Sequence, residues 1–142
     1  MGLFNFKKSK SKNENEKLPY EAQLYLLAIS ALQNGEHQKS LDLFNNLINN
    51  HMNKSNLTDQ EAGFYYNRSI AKTQLNDIEG AINDLKTSIK IHELNQAYYE
   101  LFRLYQFKEE PQKGLTYLIK AYELGNENAE QILRENTNYF NQ

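Results

Sequence analysis

From Pro19 onward the apolar residues return every three or four places, which is the period of a helix, and almost no segment alternates with the period of a strand. The pattern predicts an all-α fold. The first run passes through Leu24, Leu27, Ala28 and Ala31, with Pro19 in its first turn, where a missing N–H forfeits no intrahelical bond. Asn34 and Gly35 end it, glycine being the residue that best tolerates the left-handed conformation beyond a helix. A second run, Leu41, Phe44, Leu47 and Ile48, gives way to HMNKSNLTDQ, residues 51–60, which is polar, unpatterned and reads as the longest internal loop. Thr58 with Glu61 three places later is a capping box and starts a third helix that runs to about Leu75. Asn76 and Asp77 supply the next turn and cap, and a fourth helix extends from Ile78 to about Ile91. Two more are predicted near 95–108 and 111–124, the second with Pro111 in its first turn and Gly125 closing it. Glu109 and Glu110 read as acidic residues favoured at a helix start. A last short helix over 127–137 carries Ala129, Ile132 and Leu133.

A longer regularity overlies this one. Setting Ser40, Ala81 and Gly114 on one another aligns a small residue, then a branched apolar one (Leu41, Ile82, Leu115), then a large one four places on (Phe44, Leu85, Leu118). A further small or apolar residue follows each time, at Leu47, Ser88 and Ala121. Upstream, Leu24, Tyr65 and Tyr98 coincide, and one place later Tyr25, Tyr66 and Tyr99 do. A small residue is needed where two helices cross closely, and the residue four places later fills the groove one turn on. The copies are 41 and then 33 residues apart; the extra length of the first falls in the 51–60 loop, where helical arrays take insertions.

This repeat resembles the tetratricopeptide repeat, in which an aromatic, Leu-Gly and Tyr on one helix are followed by A-x3-F on the next. The middle copy, YYNRSIAKTQLNDIEGAINDLKTSIKI, carries the likeness most fully. Departures are Leu24 for the aromatic, Arg68 for Leu, Lys72 and Ala31 for Tyr, Phe102 for Gly, and the absence of the closing Pro. YLIKAYELGNENAEQIL is also similar to the related Sel1-like repeats. The resemblance implies a right-handed superhelical stack of three antiparallel helix pairs, at about 21–50, 59–92 and 95–125, with a C-terminal capping helix over 127–137. It makes residues 19–138 a single domain, behind a disordered basic leader over 1–18. Three repeats are about the minimum for a stable stack, because each pair buries its apolar face only on a neighbour.

Composition narrows what such a domain can do. With 142 residues, 39% of them hydrophobic, the chain has material for one core, and a net charge of −2 leaves no excess of cations for a row of phosphates. Nucleic acid is therefore not the expected partner. There is no cysteine, which removes disulfides and thiolate chemistry and fits a reducing compartment. The start, MGLFNFKKSKSK, lacks the apolar run of a secretory signal, and Phe6 stands where a myristoylation motif requires Ser or Thr. No membrane insertion and a cytoplasmic location are expected, and the Asn-rich, Gly- and Pro-poor composition suits an AT-rich bacterial genome.

Chemistry-bearing motifs are lacking. His37, His51 and His92 have no partner one helical turn away, so they read as exposed or edge-of-core residues, and there is neither a phosphate-binding glycine loop nor a nucleophile elbow. No catalytic residue, metal or cofactor is predicted, and the chain is not expected to be an enzyme. The resemblance instead implies a concave groove lined by the first helix of each pair. Tyr25, Tyr66 and Tyr99 would form a ladder along it, beside Ile29, Asn67, Ile70, Gln74, Arg103 and Phe107. The same tyrosines would equally serve as packing residues. The expected function is a non-catalytic interaction module that binds a protein or peptide, as a monomer or weak homodimer. The alternative is an inhibitor or immunity-type protein that binds a toxin or enzyme through its loop and convex surface. The carboxylate clamp known in one subset of these repeats would fall on Tyr25, Ile29, Asn67, Gln96 and Glu100, of which only Asn67 suits it, and Glu100 would repel a carboxylate. An acidic C-terminal peptide should accordingly give no measurable heat in isothermal titration, and micromolar affinity would refute that expectation.

Overall fold

The computed structural model describes residues 18–136, so the leader predicted over 1–18 lies outside the described residues except for Leu18. The described residues form seven helices and no strand. They are α1 (Tyr20–Gln33), α2 (His37–His51), α3 (Asp59–Gln74), α4 (Ile78–Ile91), α5 (Asn95–Phe107), α6 (Pro111–Glu123) and α7 (Glu127–Glu135). The chief packing partner of each helix is its neighbour in sequence, α1 on α2, α2 on α3, and so on to α6 on α7. The expected loop is shorter than residues 51–60, because His51 completes α2 and Asp59 already belongs to α3.

One kind of turn joins α1 to α2, α3 to α4, α5 to α6 and α6 to α7. In each, a residue at positive φ follows the helix: Gly35 (77°), Asn76 (63°), Glu109 (60°) and Gly125 (82°). The next N–H reaches back five residues, Glu36 to Ala31, Asp77 to Lys72, Glu110 to Tyr105 and Asn126 to Ala121, at 2.8–2.9 Å. This is the Schellman closure, which satisfies carbonyls that a helix end leaves free. Glu109 thus ends α5 and does not start α6, and it holds the left-handed conformation without glycine's freedom. Asp77 and Asn126 then cap the following helices by accepting from the N–H of Gly80 and Ala129, each at 3.0 Å.

Ser40, Ala81 and Gly114 each lie five residues beyond the positive-φ residue of their turn, so the structural turns keep the same register as the sequence repeat. All three are buried. Ser40 donates its hydroxyl to the carbonyl of Ala28 across the α1–α2 seam at 3.0 Å. At Gly114 an added methyl would meet the Phe102 carbonyl oxygen at 3.2 Å and Tyr105 Cβ at 3.3 Å, so α6 touches the backbone of α5 there. The α3–α4 seam carries Ala81 at one end and, at the other, a hydrogen bond of 2.8 Å from Ser88 Oγ to the Ala62 carbonyl. Apolar side chains fill the rest in three successive clusters, around Phe44 and Phe64, around Leu85 and Leu101, and around Leu118 and Leu133.

Two departures from the tetratricopeptide pattern are explained by a third residue. Arg68 and Lys72, on α3 where Leu and Tyr are the rule, converge on the buried carboxylate of Asp84 in α4. Arg68 donates to both oxygens (2.8 and 2.7 Å) and also to Asn45 of α2 at 2.9 Å, while Lys72 lies 3.0 Å from Asp84 Oδ2. Removing one member of a buried ion cluster costs far more than the intact cluster contributes, because the remaining charges lose their counterion. Asp84→Ala should lower the unfolding free energy by about 3 kcal/mol in urea titration. A loss near zero would mean that Arg68 and Lys72 are solvated and that the cluster does not tie α2, α3 and α4 together.

Candidate functional site

The repeat spacing of 33 residues that relates Ala81 to Gly114 also relates Tyr66, Ile70 and Gln74 on α3 to Tyr99, Arg103 and Phe107 on α5. Each trio is a row along one helix face, since residues four apart stack one above the other. The two rows line the same groove, of about 670 Å³, whose end is formed by Asn126 and Asn128 at the start of α7. Six of the nine residues expected to bind a partner are thereby brought together.

The other three lie elsewhere. Tyr25, Ile29 and Asn67 are buried and are not among the residues that line this groove, so the groove does not continue onto α1. Tyr25 packs its ring 5.8 Å from that of Phe64 and 6.3 Å from that of Phe44, beside the side chain of Asn67. Burial raises its pKa above that of an exposed phenol, with Asn67 acting in the opposite sense. The repeat position that holds Phe64 on α3 holds Ala97 on α5. Phe64 is fully buried beside Tyr25 in the cluster that joins α1, α2 and α3, and Ala97 is fully buried in the cluster that joins α3, α4 and α5.

The open groove is close to neutral. Its charged residues are Glu100 and Arg103, paired through Arg103 Nη1 at 3.1 and 3.0 Å from the two carboxylate oxygens. Ser69, Thr73, Gln74, Gln96 and Asn128 supply hydroxyl and amide groups, and Ile70 and Phe107 supply apolar surface. Tyr66 lies at the floor. Its pKa is pushed up to about 12, first by burial and then by the negative charge of Glu100, so that at neutral pH it is an intact hydroxyl. Phe107 stands 66% exposed at the rim, an unusual amount of bare aromatic surface for a residue with no cover.

A second polar site lies at the α2–α3 loop and was not foreseen. His51, expected near the surface, is buried between two carboxylates: Nδ1 lies 2.5 Å from Glu61 Oε1 and Nε2 2.9 Å from Glu21 Oε1. Glu61, also buried, closes the capping box by accepting from the backbone N–H of Thr58 at 2.7 Å and from its hydroxyl at 2.5 Å. Lys54 reaches back from the loop to Glu61 Oε1 at 2.9 Å. The capping box was visible as Thr58 and Glu61 in sequence, but nothing local pointed to His51, ten residues away on another helix. Beside this cluster Met52 and Leu57 stand exposed over a small hollow of about 180 Å³. Among the described residues no three His, Asp or Glu side chains are grouped as metal ligands, and no helix is long and apolar enough to cross a membrane.

No protein-family model matches the sequence, and no curated protein does either. The groove therefore has to be read from its own chemistry.

The Glu61 cluster has a consequence for stability. Burial alone would raise the carboxyl pKa, but the hydrogen bonds from Thr58, Lys54 and His51 outweigh it and hold the pKa well below the usual carboxylate range. A depressed folded-state pKa gives stability that is present above the unfolded value, near 4.5, and is lost as the pH falls below it. Between pH 5 and pH 3 the wild type should lose about 2 kcal/mol more in urea unfolding than Glu61→Gln. Parallel pH profiles for the two proteins would remove Glu61 from the account.

Proposed function

We propose that this chain is a non-catalytic binding module of the tetratricopeptide-repeat kind, with its helix pairs in a right-handed superhelical stack, and that it works in the cytoplasm. The groove between α3 and α5 is the binding site, and its occupant is a peptide segment of a partner protein. The observation that carries this reading is the convergence of Tyr66, Ile70, Gln74, Tyr99, Arg103 and Phe107 on one open seam. The lining favours a segment of little net charge. Its one cation is already paired, its amides and hydroxyls suit a peptide backbone, and Ile70 with Phe107 offers an apolar anchor point.

A second reading, in which the protein inhibits a toxin or enzyme through its loop, draws support from Met52 and Leu57, two exposed apolar side chains on a loop that Lys54 ties to Glu61. The two readings make opposite demands on the same experiment. Tyr99→Ala with Phe107→Ala should weaken capture of the cellular partner at least ten-fold, while Met52→Ser with Leu57→Ser leaves it unchanged. Loss with the loop pair and retention with the groove pair would establish the second reading in place of the first.

A further inference from the structure

The two ends of the helix row are finished differently. At one end α7 turns Ala129 and Leu133 inward and gives Glu127, Gln131, Arg134 and Glu135 to water. A polar outer face is what a terminal repeat needs to stay soluble. At the other end α1 is apolar on both sides. Its inward arc packs Leu24, Tyr25, Ala28 and Ile29 into the core. Its outward arc, about 140° wide at 100° per residue, carries Tyr20, Gln23, Leu26, Leu27, Ser30 and Gln33. Tyr20 is 68% exposed, Leu26 51% and Leu27 53%, with Leu18 beside them at 52%. Large apolar side chains grouped this openly on one face ordinarily mark a surface that another molecule covers.

Two properties of this face say what covers it. The first is size: the four side chains leave on the order of 400 Å² of apolar surface in water, the scale of the largest patch on a typical monomer. That is about half of the roughly 800 Å² that each partner buries in a standard interface, and Gln23, Ser30 and Gln33 extend the face at its rim. The second is charge. Between Glu21 and Glu36 the chain has no charged residue, and Glu21 is turned toward His51, 2.9 Å away. Across a twofold axis a residue near the axis meets its own copy, so any charge there would face a like charge. A face without charge is therefore suited to self-association, whereas a foreign partner could be matched by complementary charges. We infer that a second copy of this chain covers α1, the two α1 helices packing against each other around Leu26 and Leu27 in a symmetric dimer.

This inference does not rest on the groove, which lies on α3 and α5. The full-length chain should sediment at twice its 16.7 kDa at micromolar concentrations, and Leu26→Glu with Leu27→Glu should return it to the mass of one chain with its helical signal unchanged and an unfolding midpoint that no longer depends on protein concentration. Because the protein has no cysteine, a single Leu27→Cys variant gives a second readout. Under mild oxidation it should form a covalent dimer at least ten-fold faster than Met52→Cys, which is more exposed but lies on a different surface. A wild-type chain that stays monomeric at several hundred micromolar overturns the inference, as does a dimer that survives the two glutamates. A monomer that dimerises only after residues 1–17 are deleted also overturns it, by making the leader the occupant of the face.

Discussion

Two helices can come within contact of each other's backbone only where a side chain is absent or very small, and the rest of this structure follows from three such places. Ser40, Ala81 and Gly114 set the separation of α1–α2, α3–α4 and α5–α6. Each lies five residues past a left-handed turn residue, so the turn that reverses the chain and the contact that closes the pair form one unit. Once the pairs are closed, the large residues one turn on, Phe44, Leu85 and Leu118, have a cavity of fixed depth to fill, and all three are buried. A substitution that enlarged Gly114 would push against the Phe102 carbonyl, which is backbone and cannot rotate away.

Much of this was legible in sequence because it depends on residues close together along the chain. Helix starts at Thr58 and Pro111, stops at Gly35 and Gly125, and the period of the apolar residues are local signals, and the helices begin and end within a residue or two of where those signals place them. The repeat register was legible for the same reason. What could not be read was decided by residues far apart. Tyr25, Tyr66 and Tyr99 are equivalent in sequence, yet Tyr25 packs against Phe64, on another helix, while Tyr66 and Tyr99 line the groove between α3 and α5. His51 looked like a surface histidine until Glu21 and Glu61 met it from two other helices. Arg68 and Lys72 looked like damage to the repeat pattern until Asp84 accounted for both.

The buried charges join helices across the seams on either side of α3. The Arg68–Asp84–Lys72 cluster joins three helices with hydrogen bonds that fix direction as well as distance. The Glu61 cluster does the same at the longest connection, where a seven-residue loop, 52–58, would otherwise leave α2 and α3 free to slide. Such networks add less to stability than their gross electrostatics suggest, and their effect is chiefly to penalise any other arrangement. In this chain they hold α3 rigid on both sides, and α3 is one wall of the groove. The wall opposite, α5, is fixed by its contact with α6 at Gly114 and by the cluster around Leu101.

The nearest-neighbour packing of the helices also bears on how the chain is made. Each helix finds its main partner in a segment adjacent to it in sequence, so the first pair can close while α5 is still inside the ribosome. Folding then advances in the direction of synthesis, and the apolar faces of finished pairs wait only for the next thirty or so residues. Of the described helices α7 emerges last, and its Ala129 and Leu133 cover the face around Leu118 and Ala121, so a ribosome that stopped short of it would release α6 with that face open.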